Sequence, residues 1–155
     1  MSTLKDFRFN VEVDRDAVRN LTLSSSGKPS IEVVTPPEFR GGSPGVWSPE
    51  DLLVAAAATC YALTLESVAE RRGVPLRDLH VLGAGHVTKR ADGRLGFVVI
   101  ELAVTLTTDE GFEDEARLAS TRSESGCIIS NALGIPVEVE LEVRALAREA
   151  APALA

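Results

Sequence analysis

Cysteine, histidine and aromatic residues are scarce in this sequence: two Cys, two His, one Trp, one Tyr and five Phe among 155 residues. Two cysteines cannot build the dense disulfide framework of a small secreted domain. The opening residues, MSTLKDFRFN, contain no apolar run of the kind a secretory signal needs. A reducing, cytoplasmic setting is therefore expected, in which redox or catalytic use of the thiols becomes a live reading. The same scarcity argues against a metal centre. His80 and His86 would share one face of a strand, but no Cys-x-x-Cys or His-x-x-x-His spacing accompanies them, so neither a metal nor another cofactor is expected. Positive charge is also short: 16 Lys and Arg against 23 Asp and Glu leave a net charge of −7. That balance disfavours nucleic acid and anionic membrane as partners. Charge is missing altogether from Leu52 to Leu65, yet this run is shorter than the about 20 apolar residues needed to span a bilayer.

The uncharged run lies inside the stretch around which the chain is organised, Ser48 to Gly73. Ser48 suits an N-cap, Pro49 the first helical position, and Glu50 and Asp51 the positive end of the helix dipole. Asp51 stands three residues after Ser48, the spacing of a capping box, and Trp47 and Leu52 have the spacing of a hydrophobic staple. Arg71, Arg72, Gly73 and Pro75 spell a helix end. A helix without charge on any side is expected to be buried on all sides. Cys60 sits in its middle and, taken alone, reads as a small buried hydrophobe.

The rest of the chain alternates strand and turn signals. Phe7 to Val13 alternates as a half-buried strand, Val18 to Leu23 alternates again, and Ile31 to Val34 is a short third strand. The Pro- and Gly-rich stretch Thr35 to Val46 is a loop leading to the Ser48 cap. Leu79 to Lys89 and Leu95 to Thr107 form a hairpin about Ala91-Asp92-Gly93. Asp109 is placed to cap a second helix over about Glu110 to Glu124, with Phe112, Ala116 and Ala119 on one face. Cys127 to Leu133 reads as one or two helical turns, and Val137 to Val143 as a last strand alternating with glutamates. The Ala-rich tail from Arg144 is expected to be a frayed helix or disorder, most of all over residues 146–155. Strands following strands in hairpin style predict one α+β domain over residues 1–155, with antiparallel sheet.

Four features gain meaning together: the loop PPEFRGGSPGVW, the helix opening SPEDLL, Cys60 ten residues after Glu50, and SGCIISNALG before the last strand. In combination they resemble the OsmC/Ohr family of small thiol peroxidases and their relatives, over nearly the whole chain. The resemblance implies an intertwined homodimer in which two long buried helices pack centrally and antiparallel sheets wrap outside. It implies that Cys60 is the peroxide-reacting thiol and Cys127 the resolving thiol. It also implies an organic hydroperoxide as substrate and a dithiol reductant of the lipoyl type. The family's glutamate matches Glu50. The arginine it holds beside the reactive thiol is matched best by Arg19, with Arg15, on the same early stretch, the second choice. Ile128 stands where the family often carries proline.

The chemistry is intelligible from the residues. Burial in apolar surroundings suppresses the thiolate that attacks peroxide oxygen, so a thiol in an uncharged helix needs a cation. Arginine stays protonated and its fork serves a thiolate and a carboxylate at once, while the carboxylate offsets the cation's burial. Attack leaves a sulfenic acid, which a second thiol condenses to a disulfide. Phe39, Trp47 or Leu52 as apolar lining would favour bulky organic peroxides. Two other readings stand beside this one: an OsmC-like thiol protein with a non-peroxide substrate, and a non-catalytic dimeric binder of apolar ligands. One further expectation is geometric. Ten residues of helix span about 15 Å, so a compact Glu50–Arg–Cys60 cluster is expected to draw on both chains of a dimer.

Overall fold

The computed structural model of the chain describes residues 6–147. By internal packing it divides into two compact units, one ending at Leu52 and one starting at Leu53. The first holds three strands, β1 (Glu12–Ala17), β2 (Asn20–Ser24) and β3 (Ile31–Val34), in an antiparallel sheet of that order. The second holds most of α1 (Pro49–Arg72), then β4 (Leu76–Lys89), β5 (Leu95–Asp109), α2 (Glu113–Gly126), α3 (Ile128–Ala132) and β6 (Val137–Leu146). The architecture is α+β, as expected.

The first strand is not where alternation put it. Phe7, Phe9 and Val11 lie outside any strand and are exposed, Phe9 to 90%. Alternation marks a strand only if a partner strand and a covering face exist. The ladder begins at Glu12, opposite Ser24, because β2 ends there in the turn that leads to β3. Val18 and Arg19 form the β1–β2 turn rather than the start of β2. After β3, the loop is tied down by its own backbone: Phe39 N–H donates to the Pro36 carbonyl, Gly42 N–H to that of Phe39, and Ser43 N–H to that of Thr35. Its end is held where Val34 N–H meets the Trp47 carbonyl at 2.9 Å.

The α1 start is the expected capping box. Asp51 N–H donates to Ser48 Oγ at 3.1 Å, while the Ser48 N–H and hydroxyl donate to Asp51 Oδ2 at 2.9 and 2.8 Å. Gly73, at φ 67, closes the helix in the left-handed conformation that a side chain disfavours. The expectation of burial on all sides does not hold. Within the chain α1 buries one stripe, Ala57, Tyr61, Leu65, Val68 and Ala69, whereas Leu63 is 66% exposed. A single sheet can cover only one face of a helix. By length and composition alone α1 could cross a membrane, but this stripe belongs to the core of the second unit.

That core is simple. The stripe of α1 joins Ile100, Leu102, Val104 and Leu106, the inward residues of β5, with Ala116 and Ala119 of α2. Tyr61 keeps its hydroxyl satisfied inside it by a 2.7 Å hydrogen bond with Ser120. β4 and β5 pair antiparallel as the hairpin predicted, but β6 lies parallel to β5, from Ile100↔Val137 to Asp109↔Leu146. The sheet is therefore mixed rather than antiparallel, because α2 and α3 form a crossover long enough to bring the chain back in the same direction. The same ladder carries β6 through Arg144, Ala145 and Leu146, which are strand and not frayed helix. Residues 148–155 of the expected tail lie outside the described residues. Asp109 does not cap α2. It ends β5, and its carboxylate accepts both Nε and Nη2 of Arg77 on the neighbouring strand at 2.7 and 2.6 Å. α2 starts four residues later, at Glu113, with Phe112 as its N-cap and no side-chain cap.

Ser48→Ala removes a buried reciprocal cap and should lower the unfolding free energy by about 1 kcal/mol. Urea unfolding followed by circular dichroism measures this. An unchanged midpoint would mean that the cap contributes nothing to the folded chain.

Candidate active site

The second unit brings the two cysteines together. Cys60 is half-buried on the flank of the α1 stripe, next to fully buried Tyr61. Cys127 sits at the α2–α3 junction, the C-cap of one helix and the N-cap of the next, with an extended backbone (φ −71, ψ 111). It has no exposed surface. Both cysteines are free thiols, and both pack in the same core, with the Cys60 side chain near enough to that of Cys127 to influence its titration. The Cys127 sulfur also accepts the Ser130 hydroxyl at 3.1 Å and the Ser130 N–H at 3.5 Å.

These contacts set the acidity of Cys127. Burial is the largest single influence and pushes the thiol up. Hydrogen bonds from the Ser130 hydroxyl and N–H, from Cys60 and from the Ile129 N–H push it down, and together they win, leaving Cys127 below its ordinary value. Sequence reasoning placed Cys127 in the site but missed Ser130 as its donor. The Cys-x-x-Ser spacing held the signal, because a residue three positions after an N-cap presents its N–H to the cap side chain.

The first unit brings Arg19 and Glu50 together. Both line a cavity of about 210 Å³ whose apolar wall includes Leu21, Val33, Val34 and Phe39. Phe39 lines this cavity, whereas Trp47 and Leu52 are not among the lining residues. Arg19 lies in the β1–β2 turn at φ 63, the one non-glycine residue with positive φ among the described residues. A side chain held there is a mark of local constraint. Its Nη1 donates to the Arg40 carbonyl. The guanidinium lies over Gly41, whose φ of 77 favours glycine. Glu50 Oε2 is buried with no hydrogen-bond partner among the described residues, an arrangement that calls for a cation nearby. Arg15, the alternative arginine, is exposed like Arg19 but does not line the cavity.

The thiols and the Arg19–Glu50 pair belong to different compact units. His80 and His86 both project from the exposed face of β4, His86 Nε2 standing 3.1 Å from a Glu101 carboxylate oxygen. No group of three His, Cys, Asp or Glu suited to a metal ion occurs among the described residues.

Known proteins resemble the chain along most of its length. The family model described as OsmC-like protein matches residues 42–142. An uncharacterised protein of Bacillus subtilis, YmaD, is 29% identical over 143 residues, covering 90% of this chain and 95% of that protein. Among solved structures, an OsmC-like protein of unknown function from Vibrio cholerae superposes with a TM-score of 0.82 at 16% identity, covering 88% of this chain and 100% of its own. An organic hydroperoxide resistance protein from Elizabethkingia anophelis, solved with thiocyanate bound, gives a TM-score of 0.72 at 23% identity, covering 94% and 100%.

The lowered pKa of Cys127 has a consequence for stability. A thiol whose folded value lies below its unfolded value stabilises the fold where it is ionised in both states, and that contribution disappears as pH falls through the folded value. Under reducing conditions, the unfolding free energy of the native chain minus that of Cys127→Ser should therefore rise with pH between the lowered value and the ordinary thiol value. A difference that fell over this interval would mean that burial outweighs the hydrogen bonds.

Proposed function

The chain belongs to the OsmC-like protein family, and from that premise we propose that it is a thiol-dependent peroxidase that reduces organic hydroperoxides. The observation that carries the reading is the contact between the Cys60 and Cys127 thiols, which come from distant parts of the sequence and meet where one side is half-open and the other closed. In this reading the Cys60 thiolate attacks a peroxide oxygen, the O–O bond breaks, and the alcohol leaves. The sulfenic acid on Cys60 condenses with Cys127, releasing water and forming a disulfide. A dithiol reductant of the lipoyl type returns both sulfurs to thiols. The name of the Elizabethkingia relative is consistent with this substrate class, as is the apolar wall of Leu21, Val33 and Phe39.

Arg19 supplies the cation that Cys60 requires, and Glu50 holds Arg19. The orphaned Glu50 oxygen and the shared cavity support this pairing, and both favour Arg19 over Arg15. The pair acts on Cys60 of a second copy, in a homodimer. The uncovered flank of α1 at Leu63, with exposed Phe7, Phe9 and Val11, is apolar surface that a second copy would bury. Two free thiols fit a reducing compartment, and the reading includes a cytoplasmic location.

Two experiments test it. Cys60→Ser should abolish consumption of cumene hydroperoxide with a dithiol, while Cys127→Ser should react once and leave a sulfenic acid that dimedone traps. Full turnover by Cys60→Ser would remove Cys60 from its role. An intact chain whose thiols close with diamide but ignore the peroxide would point to a non-peroxide substrate. The second experiment mixes the inactive Cys60→Ser and Glu50→Ala chains. Refolded heterodimers carry one site with both residues intact and one with neither, so activity should partly return. Heterodimers that regain none would place the residues within one chain.

A further inference from the structure

The surroundings of the two sulfurs are unequal, and the inequality bears on the half of the cycle in which the disulfide is opened. A thiol–disulfide exchange has a direction: one sulfur is attacked and the other leaves as thiolate. Attack needs access, and departure needs a sulfur whose negative charge is held. Cys60 is half-buried on the flank of α1, whereas Cys127 has no exposed surface at all. The donors are distributed the other way. The Ser130 hydroxyl and the Ser130 N–H both end on the Cys127 sulfur, at 3.1 and 3.5 Å. On the Cys60 side, the Thr64 hydroxyl donates to the Cys60 backbone carbonyl at 2.7 Å and not to the sulfur. Ser130 is itself held, since it lies within α3, and the next residue is anchored on both sides. Asn131 N–H donates to the Cys127 carbonyl at 3.0 Å and its side-chain Nδ2 to the Ser125 carbonyl at 2.9 Å. The donor is thus fixed relative to the sulfur it serves.

We propose that Ser130 is a catalytic residue for disulfide reduction: its hydroxyl and N–H hold the Cys127 sulfur as the leaving group, so that the reducing dithiol always attacks Cys60. This rests on the thiol-redox reading above. The step balances as follows. A thiolate of the dithiol forms a bond to Cys60 Sγ as the Cys60–Cys127 bond breaks. The electron pair leaves on Cys127 Sγ, into the two Ser130 donors. The second thiol of the dithiol, losing its proton, then displaces Cys60 Sγ from the mixed disulfide. The dithiol departs as a cyclic disulfide, oxidised by two electrons, and both protein sulfurs are reduced. A hydrogen bond to a charged acceptor is worth roughly tenfold in the thiol–thiolate equilibrium. With about half of that felt in the rate of an exchange step, loss of the hydroxyl should slow opening about threefold.

The test starts from the full-length chain oxidised with diamide, so that the opening step is measured without any peroxide. Limited reaction with 2-mercaptoethanol, an acid quench and peptide mapping by mass spectrometry should find the mixed disulfide on Cys60 and a free thiol on Cys127. An adduct on Cys127 overturns the proposal, and this arm needs no variant. In the second arm, Ser130→Ala should be reduced by dithiothreitol about threefold more slowly than the native chain, with the 2-mercaptoethanol adduct still on Cys60 because Cys127 stays buried. Ser130→Thr, which keeps the hydroxyl, should restore the native rate. A Ser130→Ala chain reduced at the native rate would also overturn it. Oxidation with cumene hydroperoxide in parallel separates the two claims. A chain that closes with diamide but not with the peroxide refutes the peroxidase reading while the adduct on Cys60 still sustains the role of Ser130.

Discussion

The second unit depends on the seating of one helical stripe, Ala57, Tyr61, Leu65 and Val68, against the inward residues of β5, Ile100, Leu102, Val104 and Leu106. Each of these β5 residues is at most 2% exposed, so the helix cannot roll without opening the core. That constraint sets where Cys60 stands. It directly precedes Tyr61, and a rotation of about 100° per residue puts it on the edge of the stripe, half in the core and half out. The same seating determines the route of the chain after β5. To run parallel to β5, β6 must be reached by a crossover, and the crossover is α2 and α3. The junction of those helices carries Cys127, which therefore arrives buried and beside Cys60.

Once there, Cys127 is governed by a contest between solvation and hydrogen bonding. A buried thiolate is costly in apolar surroundings. The extended Cys127 backbone, as the N-cap of α3, turns the amide and hydroxyl of Ser130 toward the sulfur, and these together with the contributions of Cys60 and the Ile129 N–H exceed the cost of burial. The first unit shows the complementary case. Glu50 Oε2 is buried without a donor among the described residues, while Arg19 is held in a left-handed turn by the Arg40 carbonyl over the bare face of Gly41. An exposed but constrained cation and an orphaned carboxylate oxygen share one cavity.

Local chemistry was legible in the sequence. The Ser48–Asp51 box, Pro49, and the Arg71-Arg72-Gly73 ending define α1 because caps are made by residues within four positions of each other. The hairpin about Asp92-Gly93, the third strand and the short helix after Cys127 were legible for the same reason. The candidate residues Cys60, Cys127, Arg19 and Glu50 were legible as a joint pattern, and Ser130 lay in the Cys-x-x-Ser spacing without its purpose being evident.

What tertiary structure decided were the matters that depend on a distant partner. Alternation over Phe7 to Val13 cannot reveal that β2 stops at Ser24, and so leaves Phe7 to Val11 without a ladder. An uncharged helix circumference cannot reveal how many faces are covered, and here the chain covers one. Asp109 has the composition of a helix cap, yet Arg77 on the adjacent strand takes its carboxylate. Strand direction for β6 follows from the crossover path and not from its alternating glutamates. The sequence by itself determined which residues can ionise, cap and turn, since those properties are local and chemical. Only the fold decided that Cys60 and Cys127 meet, and that the buried sulfur of the two is the one surrounded by donors, because proximity and desolvation exist only after the chain has closed on itself.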